Sequence, residues 1–129
     1  MRGKPPKPTD AELAILRVIW EQGPSTVRQI QQVLDRARPT GYTTVLKLLQ
    51  IMTEKGLVQR DESERSHVYS VRFSEGETQQ QLLGDLRDRA FAGSTSKLVM
   101  QALSGRKASA RDLAAIRKLL DEWEQGADE

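Results

Sequence analysis

Four hydroxyl-bearing residues, Thr40, Tyr42, Thr43 and Thr44, stand just ahead of Lys47, with Arg28, Arg38 and Arg65 on either side in the chain. Hydroxyls and free backbone amides at a helix start suit phosphate oxygens, and a threonine methyl can meet the methyl of thymine. Lys47 has the reach for a phosphate or a guanine edge. Arg28 and Arg38 are placed to flank a groove, and Arg65 to meet the DNA backbone or an adjacent minor groove. Each group has a plainer use as well: Thr43 as a helix cap, Tyr42 as packing. Their convergence on one short segment points to double-stranded DNA.

Other chemistry has little to work with. The chain has no cysteine, which excludes disulfides, thiol nucleophiles and thiolate metal sites. Its one histidine, His67, has no cysteine nearby to complete a metal or nucleophile pair. The carboxylates Asp61, Glu62 and Glu64, and again Asp121, Glu122 and Glu124, read as solvated turn and helix faces. No glycine-rich phosphate loop follows a strand, and no His-Glu-x-x-His occurs. A non-enzymatic protein without catalytic residues, metal or cofactor is expected. At 129 residues, with 37% hydrophobic and 29% charged, the composition is that of a helix-rich soluble chain. No apolar run reaches the length of a membrane span, and the start MRGKPPKPTD lacks a signal-peptide core, so no membrane insertion and a cytoplasmic location are expected. Residues 1–73 carry 12 Lys/Arg against 8 Asp/Glu, while 74–129 carry 8 against 10. That asymmetry fits nucleic acid in the first part and protein contact in the second.

The elements that must position these groups are legible from caps and periodicity. Residues 1–8, with Pro5, Pro6 and Pro8, form a flexible arm. Thr9-x-x-Glu12 is a capping box that opens a helix carrying Leu13, Ile15, Leu16, Val18, Ile19 and Trp20, ended by Gly23-Pro24. Ser25 and Thr26 compete to cap a second helix, with Val27, Ile30, Val33 and Leu34 on one face through Arg36. Arg38-Pro39-Thr40-Gly41 breaks it. A third helix from Tyr42 to Lys55 turns Val45, Leu48, Leu49 and Met52 inward and stops at Gly56 in the left-handed position. Leu57-Val58 and the run Val68, Tyr69, Val71, Phe73 are two strands around the polar turn Asp61–Ser66. Three helices and then a hairpin is the order of a winged helix-turn-helix, whose third helix enters the major groove. The fold class expected is mainly α with a small β-hairpin wing.

At Ser74 the pattern changes to a helical tail, 74–129. Ser74-x-x-Glu77 caps a helix with Leu82, Leu83, Leu86, Ala90 and Phe91; Gly93-Ser94 ends it. A shorter helix carries Leu98, Val99, Ala102 and Leu103 to a break at Ser104-Gly105, and a last one carries Leu113, Ile116, Leu119, Leu120 and Trp123 before Gly126. Three short amphipathic helices cannot bury so many leucines alone. Either the stripes fold back on the first part, or a second copy completes the core across a two-fold axis. The second is expected, with Leu82, Leu86, Leu98, Val99, Leu103, Leu113, Ile116, Leu120 and Trp123 in a homodimer interface.

Several of these segments together resemble one family: Pro8-Thr9 with Ala11-Glu12-Leu13, Ile19-Trp20-Glu21, Thr26-Val27, Tyr42-Thr43-Thr44-Val45, Lys55-Gly56-Leu57-Val58 and the strand at Tyr69. The chain is similar to the penicillinase repressor family, also called BlaI/MecI, closely over residues 8–73 and more loosely over the tail. The resemblance implies a homodimer that represses transcription from a palindromic operator, that of β-lactamase or sensor-protease genes. It carries Thr43, Thr44 and Lys47 over as groove contacts and implies a membrane sensor protease as the inactivating partner. Two departures stand out. Gln50-Ile51 occupies a place where many members are basic. The Asn-Phe bond cut in the best-known members is absent, since this chain contains no asparagine. The cysteine-rich tail of a copper-responsive branch is missing too. Two alternatives stay open: a ligand-responsive winged-helix regulator, or a winged-helix protein-interaction module that binds no DNA.

Overall fold

The computed structural model describes residues 3–105 and 108–127; Met1 and Arg2 of the expected arm lie outside the described residues. The chain divides into two compact units, Met1–Asp85 and Leu86–Glu129.

In the first unit, α1 (Asp10–Gln22) opens on the expected capping box. The Glu12 amide donates to Thr9 Oγ1 at 3.2 Å, and the Thr9 amide donates to Glu12 Oε1 at 2.9 Å. Such a cap is worth about 1 kcal/mol. A second box, Thr26 with Gln29, starts α2 (Val27–Ala37), so Thr26 rather than Ser25 is the cap. The helix α3 (Tyr42–Lys55) ends at Gly56, whose φ of 84° and ψ of 19° explain the glycine there. Val45, Leu49 and Met52 are fully buried against Ile15, Leu16, Val18 and Ile19 of α1 and Val27 and Ile30 of α2. Of the apolar residues expected on α1, Ile15, Leu16, Val18 and Ile19 are buried, while Leu13 and Trp20 are half-buried.

The wing is β2 (Val58–Asp61) paired antiparallel with β3 (Val68–Val71), in the register Val58↔Val71 to Asp61↔Val68. Leu57 and Phe73, expected in the strands, lie just outside them but are buried. A third strand, β1 (Ser25–Thr26), pairs with β3 through Ser25↔Tyr69 and Thr26↔Val68, giving the order β1-β3-β2. Two residues carry no periodicity, so that strand left no trace in the sequence. It ties the start of α2 to the turn end of β3.

The helix α4 (Glu75–Ala90) opens on the Ser74/Glu77 capping box, with both hydrogen bonds at 3.1 Å, and its Thr78 is buried. The turn after it places Ala92 at φ 51° and Gly93 at φ 80°. Ser94 then caps α5 (Thr95–Gly105), accepting from the Lys97 amide at 3.2 Å. α5 ends at Gly105, where the break was expected; Ser104 and Gly105 are its last residues, and the Ser104 hydroxyl donates back to the Met100 carbonyl at 2.8 Å. The expected stop of the last helix before Gly126 is corrected: α6 (Ala110–Ala127) includes Gly126. An exposed helical glycine costs only about 1 kcal/mol relative to alanine, too little to stop an otherwise favourable helix. No residue of α5 or α6 is buried.

Candidate nucleic-acid interface

The outward face of α3 follows from what its inward face buries. With Val45, Leu49 and Met52 inside, helical geometry turns Thr43, Lys47, Gln50 and Glu54 directly outward, with Thr44 and Ile51 on one flank and Tyr42 on the other; all seven are exposed. The N-cap is Gly41, which has no side chain to bond the first-turn amides. Those donors, and the positive end of the helix dipole, are left for an anion.

The sheet brings the wing to the same helix. Arg65, Ser66 and His67 of the wing turn share a cleft of about 450 Å³ with Thr26, Val27 and Arg28 of the α2 start, Tyr42 and Leu46 of α3, and Tyr69. The Arg28 guanidinium lies over the Tyr42 ring, 5.4 Å from its centroid, a cation–π contact that fixes both side chains at the cleft. Arg28, Tyr42 and Arg65 are therefore neighbours in space, although 14 to 37 positions separate them in sequence. Among the described residues, Arg38, Lys47 and Arg65 enter no ion pair. Arg38 caps α2 from an exposed position at the far end of the turn into α3.

Other charges on the wing are already engaged. Arg60 pairs with Glu62 and bonds the Tyr69 phenol, which, with the Glu62 charge, holds its guanidinium pKa above the ordinary value. Asp61 accepts the Ser63 amide at 2.9 Å, and that backbone bond keeps its carboxyl below the usual carboxylate range. This closes the wing turn.

Thr40 departs from its expected role beside Thr43. Its hydroxyl donates to the Arg38 carbonyl at 2.7 Å, its amide donates to Asp35 at 2.9 Å, and its carbonyl accepts from Gln31 Nε2 at 2.9 Å. It stitches the turn onto α2 and so sets the entry of α3. Thr26, Ser66 and His67 line the cleft without having been singled out for it. The position of His67 one residue from β3 was the available signal.

Of the tail residues, Leu86, Val99, Leu113, Leu120 and Trp123 are exposed, the last two by 51% and 63%, whereas Leu82, Leu98, Leu103 and Ile116 are half-buried. Met100, which sequence periodicity passed over, is 69% exposed. None of the described helices is long and apolar enough to cross a membrane, and no group of three or more His, Cys, Asp or Glu side chains is placed to hold a metal among the described residues.

Known proteins are similar to this chain. The family described as penicillinase repressor matches residues 8–122. The transcriptional regulator BlaI of Mycobacterium tuberculosis is 30% identical over 119 residues, covering 91% of this chain and 85% of that protein. The penicillinase repressor of Bacillus licheniformis is 21% identical over 119 residues, 92% of this chain and 93% of its own. The solution structure of the Bacillus licheniformis BlaI monomeric form in complex with the blaP half-operator superposes with a TM-score of 0.50 at 24% identity, over 57% of this chain and 90% of that one. By length and depth of match, the chain belongs to the penicillinase repressor family, whose members are DNA-binding repressors of transcription and not enzymes.

Proposed function

We propose that this repressor acts as a homodimer on a palindromic operator, with one winged helix on each half-site and residues 74–129 as the dimerisation domain. The observation that carries the DNA contact is the exposed stripe of α3, with its uncapped first turn and unpaired Lys47, beside a cleft holding Arg28 and Arg65. Thr43, Thr44 and Lys47 enter the major groove; Tyr42, Arg28, Arg38 and Arg65 hold phosphates around it. Dimerisation is supported by α5 and α6, which bury nothing yet expose Val99, Leu113, Leu120 and Trp123. Two half-sites bound by linked modules gain affinity without a new contact.

The protein works in the cytoplasm, where its operator lies, and the regulated genes are a β-lactamase or its sensor. Release follows from a membrane sensor protease acting on the tail, at a bond other than Asn-Phe because the sequence has no asparagine. The decisive experiment is binding to the chain's own upstream DNA against scrambled duplex across a salt series. Specific binding that weakens steeply with salt is expected from counterion release. Equal affinity for both duplexes would remove the repressor assignment.

A further inference from the structure

Gln50 stands seven residues after Thr43 and three after Lys47, so the three form one stripe on the side of α3 opposite Val45, Leu49 and Met52. Its carboxamide is exposed and, among the described residues, engaged in no hydrogen bond. Beside it Ile51 is 39% exposed, a branched apolar side chain turned outward on a helix whose Val45 and Leu49 are wholly buried. From Thr43 to Gln50 the helix advances about 10 Å at its rise of about 1.5 Å per residue. That spans about three base steps of about 3.4 Å. One turn further on, exposed Glu54 places a negative charge on the same stripe and marks where the helix must leave the phosphates.

Resting on the DNA-binding reading above, we propose that Gln50 is a specificity-determining residue that selects an A·T pair in each half-site. A carboxamide offers one donor and one acceptor side by side, which matches the N7 acceptor and N6 donor of adenine in the major groove. Guanine presents two acceptors there and leaves the amide oxygen facing another oxygen. Ile51 meets the methyl group of a neighbouring thymine, an apolar contact that favours A·T over G·C at the next step.

The test is selection of bound duplexes from a random-sequence pool by the full chain and by Gln50→Ala and Gln50→Lys. The wild type is expected to enrich a two-fold symmetric site with an A·T pair at one position in each half. At that position Gln50→Ala loses about tenfold in preference, and Gln50→Lys shifts it to G·C. Replacing that adenine by 7-deazaadenine, which lacks the N7 acceptor, weakens the wild type about tenfold and leaves Gln50→Ala unaffected. The proposal is overturned if Gln50→Ala enriches the same site with unchanged preference at every position, or if the deaza base affects both proteins equally. Enrichment of no sequence by the wild type overturns the DNA reading itself, a separate outcome.

Discussion

Lys55 Nζ lies 2.6 Å from Glu12 Oε1, tying the last turn of α3 to the first turn of α1 across 43 positions of sequence. The same carboxylate oxygen accepts the Thr9 amide, so one buried group both caps α1 and clamps α3 to it. Burial by itself opposes ionisation of Glu12. The hydrogen bonds from Lys55 and Thr9 and the Lys55 charge outweigh it and hold the carboxyl below its ordinary value of 4.5. A depressed folded-state pKa stabilises the fold above the unfolded value, and that contribution disappears as pH falls through the folded one. Glu12→Ala is expected to cost about 2 kcal/mol at neutral pH, mostly in lost cap and charge-assisted bonds because Lys55 is partly solvent-screened. Glu12→Gln keeps an acceptor for Thr9, costs less, and flattens the loss of stability below about pH 4.5. Urea midpoints between pH 7 and pH 3 measure both effects.

Lys47 is exposed and unpaired among the described residues, so its removal leaves the fold intact. Lys47→Ala should lower operator affinity about tenfold. If Lys47 holds a phosphate, the slope of log affinity against log salt falls by about 1. An unchanged slope with a loss confined to one base pair would place it on a guanine edge instead. Unchanged affinity would take it off the contact surface.

Among the described residues, the wing offers a free cation beside an uncompensated acid. Among the described residues neither Arg65 nor Glu64 has an ion-pair partner. Arg65→Ala is expected to weaken DNA binding about fivefold, and Glu64→Gln to strengthen it about twofold by removing repulsion from phosphates. Both effects should fade as salt shortens the Debye length below about 10 Å. Titrations at low and high salt separate them from loss of folding.

Two backbone positions make opposite predictions. Gly56 sits at φ 84°, and an added Cβ meets nothing nearer than Arg72 Nη1 at 4.0 Å, so Gly56→Ala pays only the left-handed backbone cost of about 1 kcal/mol. Ala92, at φ 51° in the turn after α4, already bears that cost. Ala92→Gly should raise stability by up to about 1 kcal/mol. Thermal unfolding at one fixed protein concentration reads both, since a dimer's midpoint depends on concentration.

Charges on the exposed α6 stripe should break the proposed homodimer. Leu120→Glu with Trp123→Glu alters two side chains that touch no core. Analytical ultracentrifugation should then give monomers, with an unchanged near-ultraviolet signal from the first unit. Affinity for a single half-site persists, while affinity for the full palindrome drops about 100-fold as the linked second contact is lost. A variant that stays dimeric would move the interface elsewhere.

The sequence by itself determined the helices, the two wing strands and their order, β1 apart. Capping boxes at Thr9/Glu12 and Ser74/Glu77, the left-handed stop at Gly56 and the spacing of Val45, Leu49 and Met52 are local signals, set within one or two turns of chain. It also drew attention to Thr43, Thr44 and Lys47, as hydroxyls and a cation gathered at the start of one helix. Tertiary structure alone decided the rest. Glu12 meeting Lys55, Arg28 covering Tyr42, the two-residue β1 joining Tyr69, and the diversion of Thr40 into the α2–α3 turn are contacts between residues whose separation carries no periodic signal. The cleft that gathers Arg28, Tyr42, Arg65 and His67 exists only because β1 fixes the wing against the start of α2. Hydrogen-bond partners that far apart are chosen by how the helices pack, and packing is a property of the assembled core rather than of any one segment.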